Sequence, residues 1–251
     1  MNKIYLYGGS FNSLWILVFT LLHLNIKPDD IKSYENYTEN LIDEAINLKP
    51  KHTIFNKFKD KIPPSVFKTC FYVYLSNNDR KELVIYYFVK NTLKYKNEIF
   101  YRRDLNCVNL ALELSKNVSR EAHKLKGFLR FKEMKNNFYY AEMSPTNNII
   151  SILSNHFRKR FRSENFLIKD VKRNIYAFYD AKEIYYLLEK DIIKLELSLS
   201  DKEMEFEELW KTFFKTIAIK ERKNLKTQMN FMPKKYWNYI IEMEEENERS
   251  N

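Results

Sequence analysis

Gly127-Phe-Leu-Arg-Phe-Lys-Glu-Met-Lys-Asn-Asn-Phe-Tyr-Tyr-Ala-Glu-Met143 is where the texture of the chain changes. Two aromatic-rich runs, residues 128–134 and 138–143, flank Lys135-Asn136-Asn137, a hairpin signal. Upstream the rhythm is helical: Leu105, Val108, Leu112, Ser115, Ala122 and Leu125 recur at three- and four-residue steps. A long helix over 103–126 follows, with Gly127 as its terminator. Downstream, 149–161 reads as a helix, and 166–171, 175–179 and 183–187 as strands. The reading is an α+β fold, an antiparallel sheet bracketed by helices in a single compact domain over 1–240. That domain is more helical over 1–126 and mixed over 127–240, with an acidic tail at 241–251.

The remaining segments are placed by the same rules. Ile4-Tyr-Leu-Tyr7 reads as a strand, Gly8-Gly9-Ser10 as a turn, and Leu14 to Leu24 as an apolar run. The run resembles the core of a signal peptide, but no small-residue cleavage site follows it. Spanning a membrane takes about 20 apolar residues, so a buried helix fits the run better, and a cytoplasmic protein is expected. Residues 25–60 are polar and poorly periodic, with loops near Pro28 and Pro50. Pro63-Pro64 opens a helix to Leu75, and Asp79 starts another. Ser200 and Glu203 have the spacing of a capping box. They start a helix whose Phe206, Leu209, Trp210, Phe213, Phe214 and Ile217 form an apolar stripe, expected in the core.

Composition narrows the function. With 251 residues, 45% hydrophobic and 16% aromatic, the chain can bury a sizeable core. Three glycines argue against glycine-rich phosphate turns. Two cysteines and four scattered histidines lack the spacing of a disulfide scaffold or a zinc site, so no metal is expected. A formal charge of +10 favours a polyanionic partner.

That charge is concentrated. Arg120, His123, Lys124, Lys126 and Arg130 fall within eleven residues, answered by Glu121. Arg120 and Lys124 share a helix face, where like charges cost about 0.2–0.5 kcal/mol; a bound anion or tertiary carboxylates would offset that. Further basic clusters occur at 158–162, 169–173, 220–226 and 234–235, each beside aromatics. Cations for phosphates and flat rings for bases are the composition of a nucleic-acid groove. The candidate contacts are Arg120, Lys124, Lys126, Arg130, Arg158, Arg160, Arg173, Arg222 and Lys223. His123, Glu121 and Asp170 are the acid–base candidates. Glu121 and His123, two apart, point in different directions from a helix. A nuclease would need Asp104, Glu121, Asp170 and Asp180 gathered around a metal.

Val118-Ser-Arg-Glu-Ala-His-Lys-Leu-Lys-Gly-Phe-Leu-Arg-Phe131 resembles the central motif of a bacterial family of unknown function, labelled as DNA metabolism proteins. Asn155-His-Phe with Arg160-Phe161, Ile168-Lys-Asp170 with Arg173, Tyr179-Asp180, the stretch from Trp210 to Asn224 and Pro233-Lys-x-Tyr-Trp237 resemble its further blocks. The likeness is best over about residues 104–240. It implies a companion, a radical S-adenosylmethionine protein assigned to DNA modification or repair. S-adenosylmethionine and the iron–sulfur cluster would belong to that companion, since the cysteine triplet is lacking here. The family often has Tyr-Asp-Gly-Ser near its N-terminus, where this chain has Tyr7-Gly8-Gly9-Ser10.

The expectation is a DNA-binding accessory protein for metabolism or repair, working with a radical-SAM partner and no membrane. A glycosylase-like or nuclease-like enzyme is one alternative. The other is a structural docking partner with no affinity for DNA.

Overall fold

The structure is a computed structural model describing residues 2–38, 42–48, 61–135, 137–189, 198–217 and 224–243. Contacts divide the chain into two compact units, Met1–Ser119 and Arg120–Asn251. The expected acidic tail beyond residue 243 and the loop near Pro50 lie outside the described residues.

In the first unit, strand β1 (Asn2–Tyr7) and helix α1 (Phe11–His23) are joined by Gly8-Gly9-Ser10, as the sequence predicted. Gly9 has φ of 79°, a left-handed conformation that costs glycine no Cβ clash. Ser10 caps α1, its side chain accepting from the Ser13 N–H at 3.1 Å. Leu14 to Leu21 are all buried, so the apolar run is a core helix.

The poorly periodic stretch 25–60 holds two short strands that its sequence does not announce. β2 (Asp30–Ser33) and β3 (Asp43–Ile46) flank β1 in the order β2-β1-β3, both parallel to it. Each has only four residues, and the buried face of β2 pairs Ile31 with the polar Ser33, too little for a period-2 signal to emerge. Helices α2 (Pro64–Leu75) and α3 (Lys81–Tyr95) complete this layer around Trp15, Phe19, Val66, Val73 and Phe88.

Helix α4 (Asn106–Phe128) runs through the division between the units. Gly127 lies inside its last turn, and the helix ends one residue later. The Arg130 guanidinium, and not a left-handed glycine, meets the terminal carbonyl: Nη1 donates to Gly127 O at 2.8 Å.

The second unit holds a five-stranded sheet in the order β4-β5-β6-β7-β8. β4 (Lys132–Met134) and β5 (Phe138–Met143) form the expected hairpin, with Asn137 at φ 55° in its turn. Helix α5 (Ile150–Arg160) leads to β6 (Phe166–Asp170), β7 (Ile175–Tyr179) and β8 (Ile184–Leu188). The α+β class holds, but the sheet is mixed: β5 and β6 run parallel while the other pairs are antiparallel. The cause is α5, because a helical crossover returns the chain to the same end of the sheet.

Helix α6 (Asp201–Ile217) corrects another expectation. Phe206, Leu209, Phe213 and Ile217 are each more than half exposed. The side of α6 that meets protein is its polar one. Glu203 accepts from the Glu133 N–H at 3.0 Å, and Glu207 lies 2.8 Å from Lys132 Nζ. Trp210 Nε1 donates to Glu242 at 3.2 Å. Ser200 does cap α6, accepting from the Glu203 N–H at 3.1 Å, but the Glu203 carboxylate serves β4 instead of closing the box. The side chain of Phe214 is outside the described residues. A short helix, α7 (Leu225–Phe231), precedes 3₁₀ turns that bury Tyr236 and Trp237.

Candidate nucleic-acid interface

The charged residues of the 120–130 motif take different roles once folded. Glu121 is buried, and five hydrogen bonds converge on it. Oε1 accepts from the Thr146 N–H at 2.9 Å, Lys235 Nζ at 2.8 Å and Tyr236 OH at 2.8 Å. Oε2 accepts from the Asn147 N–H at 2.8 Å and Asn147 Nδ2 at 2.7 Å. Burial alone would raise its pKa, but these donors outweigh it and hold the carboxyl at about 2. Such a group is a fixed anion at neutral pH with its lone pairs engaged. It ties the loop after β5 to the Pro233-Lys-x-Tyr-Trp237 block.

The same loop is gripped by Asp170 and Arg173. Asp170 is fully buried at the end of β6, with Arg173 Nη1 2.9 Å from Oδ2. Arg173 also donates to the carbonyls of Pro145 and Thr146. Glu121 thus holds the loop's N–H groups while Arg173 holds its carbonyls, satisfying a turn that burial would leave unpaired. Arg130 is spent similarly: beyond Gly127 O, it pairs with Glu242 at 2.6 Å. Asp104 pairs with Arg102 at 2.6 Å, and Asp180 accepts from the N–H groups of Lys182 and Glu183. Each carboxylate expected around a nuclease metal therefore has its own protein partners. Among the described residues no His, Cys, Asp and Glu group comes together with metal-binding geometry.

Other basic residues face solvent on α4 and α5, and Lys126 near the end of α4 acts on His156 of α5. Arg120 and His123 are exposed on α4. Lys124 is half-buried, its Nζ 3.5 Å from Asn230 O. His156 of α5 has its pKa lowered, by burial first and then by Lys126, Arg160 and Lys159. Three cations are thus near enough to disfavour a charge on one imidazole, and among the described residues none of the three has a salt-bridge partner. Arg158 is exposed on the same helix. Arg222 and Lys223 lie outside the described residues.

Aromatic rings lie beside these cations. Phe161 stacks on Tyr139 with centroids 6.0 Å apart and planes 11° apart, and packs against Phe131 at 5.1 Å. The Arg160 guanidinium sits 6.0 Å from the Phe161 ring, and His156 abuts Phe157 at 5.0 Å. Phe157 and Phe166 are core, whereas Phe131, Tyr139 and Phe161 are half-buried.

The structure therefore joins Lys126 and Arg160 with two residues that were not selected, His156 and Lys159. Both lie within or beside the Asn155-His-Phe and Arg160-Phe161 blocks, which were the available signal. Lys235 and Tyr236 were also missed, although Pro233-Lys-x-Tyr-Trp237 had been singled out; their function is to satisfy Glu121.

An α+β protein with a clustered cationic face is what the fold and the site define. The chain belongs to the family described as a domain of unknown function, DUF4130, which matches residues 79–242, roughly two thirds of its length. No curated protein matches the chain. Among the described residues no helix is long and apolar enough to cross a membrane.

Proposed function

We propose that the chain is an accessory protein of DNA metabolism that binds nucleic acid through the face around His156. The observation that carries this reading is the convergence of Lys126, Lys159 and Arg160 on His156 beside the half-buried rings of Phe161 and Tyr139. Cations left without carboxylate partners are stabilised by phosphates, and ring edges at the same place suit unpaired bases. Arg120, Lys124 and Arg158 extend the track; Arg130 and Arg173, engaged with protein groups, brace it. The companion would be a radical S-adenosylmethionine enzyme that brings its own cofactors, and the shared compartment would be the cytoplasm. Fluorescence anisotropy against single-stranded and duplex DNA over a salt series tests this. Binding whose logarithm falls by roughly 0.7–0.9 per phosphate contact for each decade of salt supports it. No binding at low salt overturns it.

One observation favours a second reading, a docking partner without DNA affinity. The exposed stripe of Phe206, Leu209, Phe213 and Ile217 is the kind of apolar surface that protein partners cover. A stable complex with the radical enzyme in the absence of DNA binding would select it. The enzymatic alternative draws no support from Glu121 or Asp170, whose oxygens are already engaged.

A further inference from the structure

Helix α6 is held to its own unit by polar contacts. Glu203 and Glu207 grip β4, Trp210 donates to Glu242, and Ser200 caps the first turn. These contacts fix the rotation of the helix about its axis. The stripe of Phe206, Leu209, Phe213 and Ile217 therefore cannot roll inward without breaking them, and it stays more than half exposed at every position. Large apolar side chains in a row over about three turns, about 16 Å of helix, mark a surface that another protein covers.

The order of charge along α6 selects the occupant. Asp201, Glu203, Glu205, Glu207 and Glu208 crowd its first half against Lys202, whereas residues 209–217 hold Lys211 and Lys215 and no acid. Glu203 and Glu207 serve β4, but Glu205 and Glu208 are exposed. Two helices of this pattern complement each other when they lie antiparallel, because the acidic half of each then meets the basic half of the other. Side by side and parallel, they would set like charge against like. The apolar spacing agrees with the antiparallel arrangement. Phe206 and Ile217 are equally far from the midpoint of the stripe, and Leu209 and Phe213 nearly so. A twofold axis at that midpoint sets Phe206 of one copy against Ile217 of the other, and Leu209 against Phe213, the self-complementarity that a twofold contact requires.

We infer that the stripe of α6 is a dimer contact, covered by α6 of a second copy of this chain packed antiparallel to it. One helix face from each copy is a small interface beside those of permanent complexes, so association falls in the micromolar range. At about 1 µM the copies are apart, and substitutions in the stripe leave the stability measured there unchanged. A different protein seated on the stripe is the competing occupant.

Sedimentation equilibrium of the full chain from about 1 to 200 µM tests the assignment. The mass should rise from 30.6 kDa toward twice that value. Leu209→Glu, at a position exposed in the single copy, should fold normally and stay at 30.6 kDa throughout. Glu205→Lys/Glu208→Lys should weaken association by about tenfold, since the twofold counts each lost pair twice. Orientation is read by disulfide cross-linking in a Cys107→Ser background. Phe206→Cys and Ile217→Cys variants should cross-link when mixed, and neither should do so alone. A chain that stays at 30.6 kDa at every concentration overturns the inference, whether or not another protein covers the stripe. So does a dimer that survives Leu209→Glu, or one in which either cysteine variant cross-links alone as well as the mixture. Mass and cross-linking are read without DNA, so this assignment and the nucleic-acid reading succeed or fail separately.

Discussion

Glu121 sets the character of its motif. As the one acid among the basic residues at 120–130, it was a candidate for proton transfer; five donors make it the anchor of a loop instead. Its folded pKa, about 2, is depressed from an ordinary 4.5. Its stabilisation is therefore complete above about pH 4.5 and is lost as pH falls toward 2, amounting to about 3 kcal/mol. Glu121→Gln should cost about 3–5 kcal/mol at neutral pH, because it breaks a buried charged network. In urea melts over pH 2–7 the gap between variant and wild type should close at the acid end; a gap independent of pH would contradict the assignment. His156 is also lowered, but here because its charged form is disfavoured. Burial and its three cationic neighbours depress its pKa in the free protein, and bound phosphates would lift it. Imidazole NMR titration should show that rise on adding DNA, with binding tightening as pH falls through the histidine range. That Glu121 mattered was legible in the sequence; its donors, 25 to 115 positions away, were not.

At the scale of elements, what the sequence disclosed followed the strength of each pattern. The long helix, the hairpin with Asn137 at positive φ, and β6 to β8 all emerged because their periodicity or turn chemistry is local. β2 and β3 did not, since four-residue strands beside a central partner carry almost no pattern of their own. The parallel pairing of β5 with β6 depends on where α5 returns the chain, a tertiary fact. Helix α6 shows the converse, a clear apolar stripe whose spacing is right and whose location is not the core. Leu209→Ala should therefore change stability by no more than about 0.5 kcal/mol, against about 2–5 for a core leucine. Ser200→Ala, which removes the α6 cap, should cost about 1 kcal/mol. Thermal melts that reversed this order would place the stripe back in the interior.

At the scale of the whole molecule, a +10 charge predicts a polyanion but not where it binds. Folding sorts the cations. Arg130, Arg173 and Lys235 are drawn into protein networks, while Lys126, Lys159 and Arg160 are left together around His156. The most direct test of this sorting compares the DNA-binding salt slope of wild type with that of a Lys126→Ala/Arg160→Ala double variant. A Lys27→Ala/Lys90→Ala variant, equal in charge and exposed in the first unit, serves as control. If the His156 face holds the phosphates, the double variant's slope should fall by about 1.5, the value of two lost contacts, and the control's should not. Equal losses in both variants, or none in either, would contradict the account.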